Sequence, residues 1–268
     1  MPRIQLNGAN LHYEDTGGSG APVLFCHGLL WSSRMFDDQV AALRGRYRCV
    51  AFDFRGQGQS EVTASGYDMD SLTADAAALI ETLDLGPCHV AGLSMGGFVA
   101  MRLAARRPEL VSSLMLLETS ADAEPAENVP KYRLLGTVAR WLGFTVVAWP
   151  VMKIMFGKKF LADPSRADLR RVWRDRLIAN NRAGFALALK GVIERAPIAD
   201  ELGRVQAPTL VIVGDQDVAT VPAKAQRIHE RIRGSRLLVI PGAGHTSSVE
   251  QPAAVLAAMA DFLASVHA

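Results

Sequence analysis

At 268 residues, 49% hydrophobic and 21% charged, the chain has room for one large domain or a core with an insertion, and its composition excludes a disordered or fibrous protein. Its 29 Lys and Arg against 27 Asp and Glu leave a net charge of +2, too small to argue for nucleic acid or an anionic membrane as partner. The three cysteines, Cys26, Cys49 and Cys88, each lie in an apolar run, and the odd count points to buried thiols instead of a disulfide framework or zinc site; with no apolar leader in residues 1–5, the expected location is the cytoplasm.

Residues 4–6 and 10–15 alternate in strand fashion around Asn7-Gly8, so the chain is expected to open with a hairpin. Residues 23–26 form a continuous apolar run, the mark of a strand covered on both faces. His27-Gly28-Leu29-Leu30 follows, then a helix near residues 36–43. Residues 48–52 read as the next buried strand, and Asp53-Phe54-Arg55-Gly56-Gln57-Gly58-Gln59-Ser60 as a glycine-rich loop. That loop lacks the lysine of a P-loop and the spacing of a dinucleotide fold, so a structural turn at the sheet edge is expected. Leu72, Ala76, Leu79, Ile80 and Leu83 recur at helical spacing over residues 71–83.

Val90-Ala91-Gly92-Leu93-Ser94-Met95-Gly96 then joins a buried strand to a helix over residues 95–106 through G-x-S-x-G. Gly92 and Gly96 remove the Cβ atoms that would clash in so tight a reversal, which leaves Ser94 strained and exposed at a helix N-terminus. This is the pattern of a nucleophile elbow. A further strand covers residues 113–117. From about 119 to 204 only helical segments appear, rich in Trp, Met and Phe. Strands return at 209–213 and 236–240, with a helix at 223–232 between them and a closing helix from 253 to 266. Strands alternating with helices imply a largely parallel sheet. The expected organisation is an α/β core of residues 1–118 and 205–268, with residues 119–204 inserted as a helical cap.

A serine hydroxyl attacks when a base takes its proton and an acid orients the base. On an elbow-bearing α/β sheet these partners follow in the order Ser, Asp or Glu, His. Of the six histidines, His12, His27 and His89 precede the elbow, His229 falls inside a predicted helix and His267 in the tail. His245 lies in Gly242-Ala243-Gly244-His245-Thr246, at the carboxyl edge of the last strand, where ligand sites form in open α/β sheets. For the acid, Asp215 and Asp217 compete after the strand at 209–213, and Glu118 ends an earlier strand. The N–H groups of Met95 and Leu29 are the expected oxyanion donors. His27 helps shape the turn at Leu29, and also fits a core histidine bonded to backbone.

With these pieces in place, the chain resembles the α/β-hydrolase superfamily over nearly its whole length. The resemblance is carried by His27-Gly28, the D-x-R-G-x-G-x-S loop at 53–60, the elbow, Gly214 to Asp217, and His245 followed by Glu250-Gln251-Pro252. The elbow and the histidine loop are similar to those of 3-oxoadipate enol-lactonases and related small serine carboxylesterases. The resemblance implies an eight-stranded, mostly parallel sheet flanked by helices, a Ser94, Asp217, His245 triad with Asp215 capping its loop, and no metal or organic cofactor. Serine at the elbow sets aside the dehalogenase and epoxide hydrolase branches, which attack with a carboxylate. The short loop His27-Gly28-Leu29-Leu30-Trp31 lacks the longer glycine-rich oxyanion loop of the carbon–carbon hydrolases. Cofactor-free haloperoxidases and ligand-binding signalling members of the fold remain alternatives. A lipid-facing lipase ranks below them, because Pro150 and Lys153 interrupt the apolar stretch at 142–156.

The front of the insertion is strongly apolar, with Trp141, Phe144, Trp149, Met152, Met155, Phe156 and Phe160. A cap over the elbow would roof the pocket, and the expected pocket residues are His27, Trp31, Trp141, Trp149 and Met155. The bases of the insertion, among them Lys131, Arg140 and Lys153, are expected on solvated faces; one turned inward would be needed to hold a substrate carboxylate. The expected activity is hydrolysis of a small carboxylic ester or lactone by a monomer or homodimer, with no nucleic-acid or membrane partner.

Overall fold

The computed structural model describes residues 2–266; His267 lies outside the described residues. Eight strands form a sheet in the order β1-β2-β4-β3-β5-β6-β7-β8. β1 (Arg3–Leu6) and β2 (Ala9–Asp15) pair antiparallel. Their turn has positive φ at both Asn7 and Gly8, the geometry that Asn-Gly tolerates best. β2 also pairs antiparallel with β4 (Arg48–Phe52). β3 (Pro22–Cys26), β4, β5 (Cys88–Leu93), β6 (Val111–Leu117), β7 (Thr209–Gly214) and β8 (Arg236–Ile240) run parallel.

The continuous apolar runs follow from this placement. Along β3, Val23 and Phe25 join the core on one face of the sheet, and Leu24 and Cys26 join the core on the other. α2 (Met69–Thr82), α3 (Met95–Arg106) and α9 (Pro222–Arg231) cover one face; α1 (Asp37–Leu43), α10 (Ser247–Glu250) and α11 (Pro252–Val266) cover the other. β8 has a single neighbour, and Leu238 and Val239 stay partly in solvent. The three cysteines are free and buried.

Local chemistry accounts for the differences at element ends. α2 starts two residues before the expected boundary because the Asp68 carboxylate accepts the Ser71 N–H at 2.9 Å and caps the first turn. The expected helix at 36–43 divides into a 3₁₀ turn, Ser33–Phe36, and α1. Between β6 and β7 run α4 (Val129–Leu142), α5 (Phe144–Met155), α6 (Lys158–Ala162), α7 (Ala167–Ile178) and α8 (Arg182–Ile193). α5 continues through Pro150, with Val147, Ala148, Val151, Met152 and Met155 buried. Packing of that face offsets the hydrogen bond that proline cannot make. Among the described residues, no helix is long and apolar enough to cross a membrane.

The loop at 53–60 is built around a buried carboxylate. Asp53 accepts the N–H groups of Ser33 at 2.7 Å and Gln59 at 2.8 Å, and bonds the His12 ring at 3.2 Å. Burial favours its neutral form, but the His12 bond and the two N–H donors outweigh burial and hold its pKa at about 2, against an ordinary 3.8. The folded value lies below the unfolded one, so this stabilisation is present above about pH 4 and is lost as the pH falls through about 2. Asp53→Asn should lower stability to urea at neutral pH by about 2 kcal/mol, with the gap to wild type closing between about pH 4 and pH 2. A gap of constant size across that range would show that the carboxylate charge is not the cause.

Candidate active site

β5 ends at Leu93 and α3 begins at Met95, so Ser94 alone reverses the chain, with φ 53 and ψ −111. For a residue with a Cβ such a conformation costs of order 1–3 kcal/mol. Neighbouring backbone holds it there. The Ser94 N–H donates to the Leu117 carbonyl at 2.9 Å, and the Ser94 carbonyl accepts the Thr119 hydroxyl at 2.8 Å and the Phe98 N–H at 3.0 Å. A Cβ at position 92 would strike the Gly96 carbonyl, and one at 96 would strike the Cys26 carbonyl. Glycine at both is what lets α3 start against β3 and β5.

His245 stands on the loop after β8, with Nε2 2.9 Å from Ser94 Oγ and Nδ1 2.9 Å from Asp217 Oδ2. Asp217, on the turn after β7, accepts the N–H groups of Ala219 at 2.8 Å and Thr220 at 3.0 Å on Oδ1, and the Thr220 hydroxyl at 2.7 Å on Oδ2. Burial favours its neutral form, yet the charge and hydrogen bond of His245 and the Thr220 donors keep its pKa below the ordinary carboxylate range. An ionised carboxylate only accepts, so the hydrogen-bond network assigns the proton to Nδ1 and turns the Nε2 lone pair towards Ser94 Oγ. Of the three acids considered from sequence, only Asp217 bonds the histidine. Asp215 accepts the Gly242 N–H at 2.7 Å. Glu118 is fully buried, and burial together with the Asp217 charge pushes its pKa well above the usual range.

The N–H groups of Leu29 and Met95 donate to no acceptor among the described residues, so both are free to meet an oxyanion. Their surroundings involve a residue that sequence reasoning left as part of a structural loop. The Gln57 side-chain oxygen accepts the Leu30 N–H at 2.9 Å, and its amide nitrogen lies 3.8 Å from Met95 Sδ. Gln57 thus touches both segments. Thr220 and Glu250 were also missed as site residues. Glu250 accepts the N–H groups of Gly244 at 2.9 Å and Thr246 at 3.2 Å, one on each side of His245, and that of Gly157 at 2.8 Å from the inserted segment. Burial pushes its pKa up to about 7 against the pull of these donors. Its place in the Glu250-Gln251-Pro252 motif was the available signal.

A cavity opens on Ser94 and His245. Its walls come from helical stripes: Tyr132, Leu135 and Gly136 on α4, Val151, Ile154 and Met155 on α5, Phe185, Leu189 and Val192 on α8. Leu29, Leu30, Phe98, Glu124, Ala219 and Thr220 complete it, and among the described residues no Lys or Arg lines it. Of the five expected pocket residues, only Met155 is there. Trp141 and Trp149 are 72% and 54% exposed, under the Arg140 guanidinium and the Lys153 ammonium. The helical period puts them on faces other than the stripes that line the cavity. Trp31 is buried against Trp173 and Phe156, with ring centroids 4.9 and 5.8 Å away. His27 accepts the Phe54 N–H at Nε2 (2.9 Å) and donates from Nδ1 to the Gly28 carbonyl (2.8 Å), so backbone occupies both nitrogens. The i, i+3, i+4 spacing of the α4 and α5 stripes and the i, i+4, i+7 spacing of the α8 stripe were the signal that could have found these residues. Among the described residues, no group of three or more His, Cys, Asp or Glu side chains could hold a metal ion.

Comparison with known proteins fits this architecture. Residues 21–252 match the family model of the alpha/beta hydrolase fold. A Mycobacterium tuberculosis protein named "Putative non-heme bromoperoxidase BpoC" is 35% identical over 274 residues, covering 97% of this chain and 99% of that one. The 3-oxoadipate enol-lactonase 2 of Acinetobacter baylyi is 30% identical over 245 residues, covering 91% and 89%. The solved structure of a thermophilic esterase from Thermogutta terrifontis is similar with a TM-score of 0.92 at 29% identity, covering 100% of both chains. The sheet order, the strained serine turn and the match over residues 21–252 lead to one assignment: the chain belongs to the α/β-hydrolase family.

Proposed function

We propose that the protein is a serine hydrolase that cleaves a small carboxylic ester or lactone through an acyl-enzyme. The observation that carries this reading is the unbroken chain Asp217–His245–Ser94, with 2.9 Å at each link, opening on an apolar cavity beside two free N–H groups. Ser94 Oγ attacks the carbonyl carbon while His245 Nε2 takes its proton. The oxyanion is held by the Leu29 and Met95 N–H groups, and His245 returns the proton to the leaving oxygen. Water, activated by the same nitrogen, then releases the acid. Asp217 keeps the tautomer and stabilises the imidazolium. The segment 119–204 acts as the cap, with α4, α5 and α8 supplying the roof. A haloperoxidase reading has in its favour the 35% identity to the protein named as a bromoperoxidase. An assay with peroxide and bromide beside the ester screen separates the two.

A fluorophosphonate probe should label wild type at Ser94 and leave Ser94→Ala unlabelled, and His245→Ala should slow labelling by roughly 10³-fold or more because the hydroxyl loses its base. Fast labelling of the His245 variant would remove the base assignment. Labelling of wild type with no turnover of graded p-nitrophenyl esters or lactones would favour a ligand-binding member of the fold.

Asp217→Asn should lower kcat/KM by roughly 10³- to 10⁴-fold through the wrong histidine tautomer, and Asp215→Asn by less than about tenfold. Equal losses, or the reverse order, would move the acid to Asp215.

A further inference from the structure

Besides His245, the titratable side chains lining the cavity are Glu124 and Tyr132. Glu124 Oε2 accepts from Arg195 Nη1 at 2.8 Å, and Oε1 accepts from the Asn128 amide at 3.1 Å. Each carboxylate oxygen can accept more than one hydrogen bond, so both keep a free lone pair. Arg195 stands behind the wall. Its guanidinium carbon is 4.2 Å from the ring centroid of Phe98, Nη1 also donates to the Val192 carbonyl at 2.8 Å, and Nε donates to the Asp122 carbonyl at 3.1 Å. Phe98 and Val192 both line the cavity. Arg195 is 5% exposed, and its Nη2 is a buried donor with no acceptor. The other cations nearby are engaged: Lys224 Nζ donates to the Ala219 carbonyl at 3.4 Å, and Arg227 pairs with Asp122 at 2.5 Å.

We propose that Glu124 sets the charge class of the substrate: the cavity turns away esters whose far end is a carboxylate and takes neutral ones whose far end carries a hydrogen-bond donor, while Arg195 is a cation that Glu124 holds in reserve. The word substrate rests on the esterase reading above; ligand selection does not. Of the Glu124–Arg195 ion pair it is the carboxylate that lines the cavity, so a bound anion meets the negative end first, and in a lining rich in apolar side chains that repulsion exceeds its value in water. It also offers its unused lone pairs to a hydroxyl or amide N–H. Burial pushes the Tyr132 hydroxyl up to about 12, so it stays protonated at neutral pH and can donate or accept beside Glu124. With the Glu124 charge removed, the idle Nη2 and the released Nη1 of Arg195 are the donors a carboxylate would need.

The test uses the full chain carrying Ser94→Ala, which binds without turning over, and three probes: dimethyl adipate, monomethyl adipate and methyl 6-hydroxyhexanoate. Binding is followed by ligand-observed NMR at low and high salt, and the same esters are offered to the Ser94 protein for turnover. The monoester should bind at least tenfold more weakly than the diester, and the hydroxy ester at least as tightly as the diester. The gap should persist in high salt, because a buried charge is poorly screened. Adding Glu124→Gln should close or reverse the gap, and Glu124→Asp should keep it. The readout is a ratio within one variant, so a loss of folded protein does not move it. If the Glu124→Gln protein fails to fold, Arg195→Gln reads the same proposal from the other side, since removing the cation must widen the gap. A ratio unmoved by whichever of these two variants folds overturns the proposal. If the ratio moves as expected but the Ser94 protein hydrolyses no ester, the esterase reading falls and this one stands; turnover with an unmoved ratio does the reverse.

Discussion

The contact between the start of α3 and the ends of β3 and β5 is the constraint on which the rest of the site depends. Position 96 has no room for a Cβ against the Cys26 carbonyl, and position 92 none against Gly96. The helix therefore begins at backbone contact distance from two central strands. Because β3 and β5 are parallel neighbours, with Cys26 opposite Gly92, the loop leaving β3 and the turn leaving β5 emerge side by side. That adjacency brings Leu29 and Ser94 into the lining of one cavity. β6 lies beside β5 with Leu117 opposite Leu93, so Thr119 reaches back to hold the strained serine. β7 and β8 then deliver Asp217 and His245 to the same carboxyl edge, as parallel strands do wherever a ligand site forms there.

Three acidic side chains crowd this edge, and their environments keep them from competing. Asp217 has four donor contacts, from Ala219, Thr220 twice and His245, and stays ionised. Glu118, fully buried beside it, is driven towards the neutral form by burial and by the Asp217 charge itself. Glu250 is intermediate, with burial working against three N–H donors. The histidine therefore meets one clear negative charge, and the neutral acid behind it adds no field that would misdirect the proton.

The inserted helices are fastened to the element that carries the histidine. Glu250 joins Gly157 to both sides of His245, and the Thr246 hydroxyl donates to the Met155 carbonyl at 2.7 Å. Met155 is also a wall of the cavity. The end of α5 and the histidine loop thus share a set of buried hydrogen bonds, and such bonds are costly to break without replacement. The exposed tryptophans of α4 and α5 take no part in this joint.

The amino-acid sequence by itself determined the order and type of the core elements, because buried parallel strands need continuous apolar runs and the crossover helices need 3.6-residue stripes. It also determined the strained serine turn, since a glycine pair around a serine has few other uses, and it singled out His245 by chain order. Asp217 was reached through the resemblance, not through local pattern. The walls of the cavity were decided only by the tertiary structure. Trp141, Trp149 and Trp31 are the residues that apolarity favours, yet two point to solvent and one is buried behind the wall. Which stripe of a helix faces inward depends on how that helix rotates against its neighbours. The same holds for Glu124, just before α4, and Arg195, just after α8, which are 71 residues apart in the chain and meet only when α4 packs against α8. Local pattern records periodicity, but contacts between distant segments come from packing.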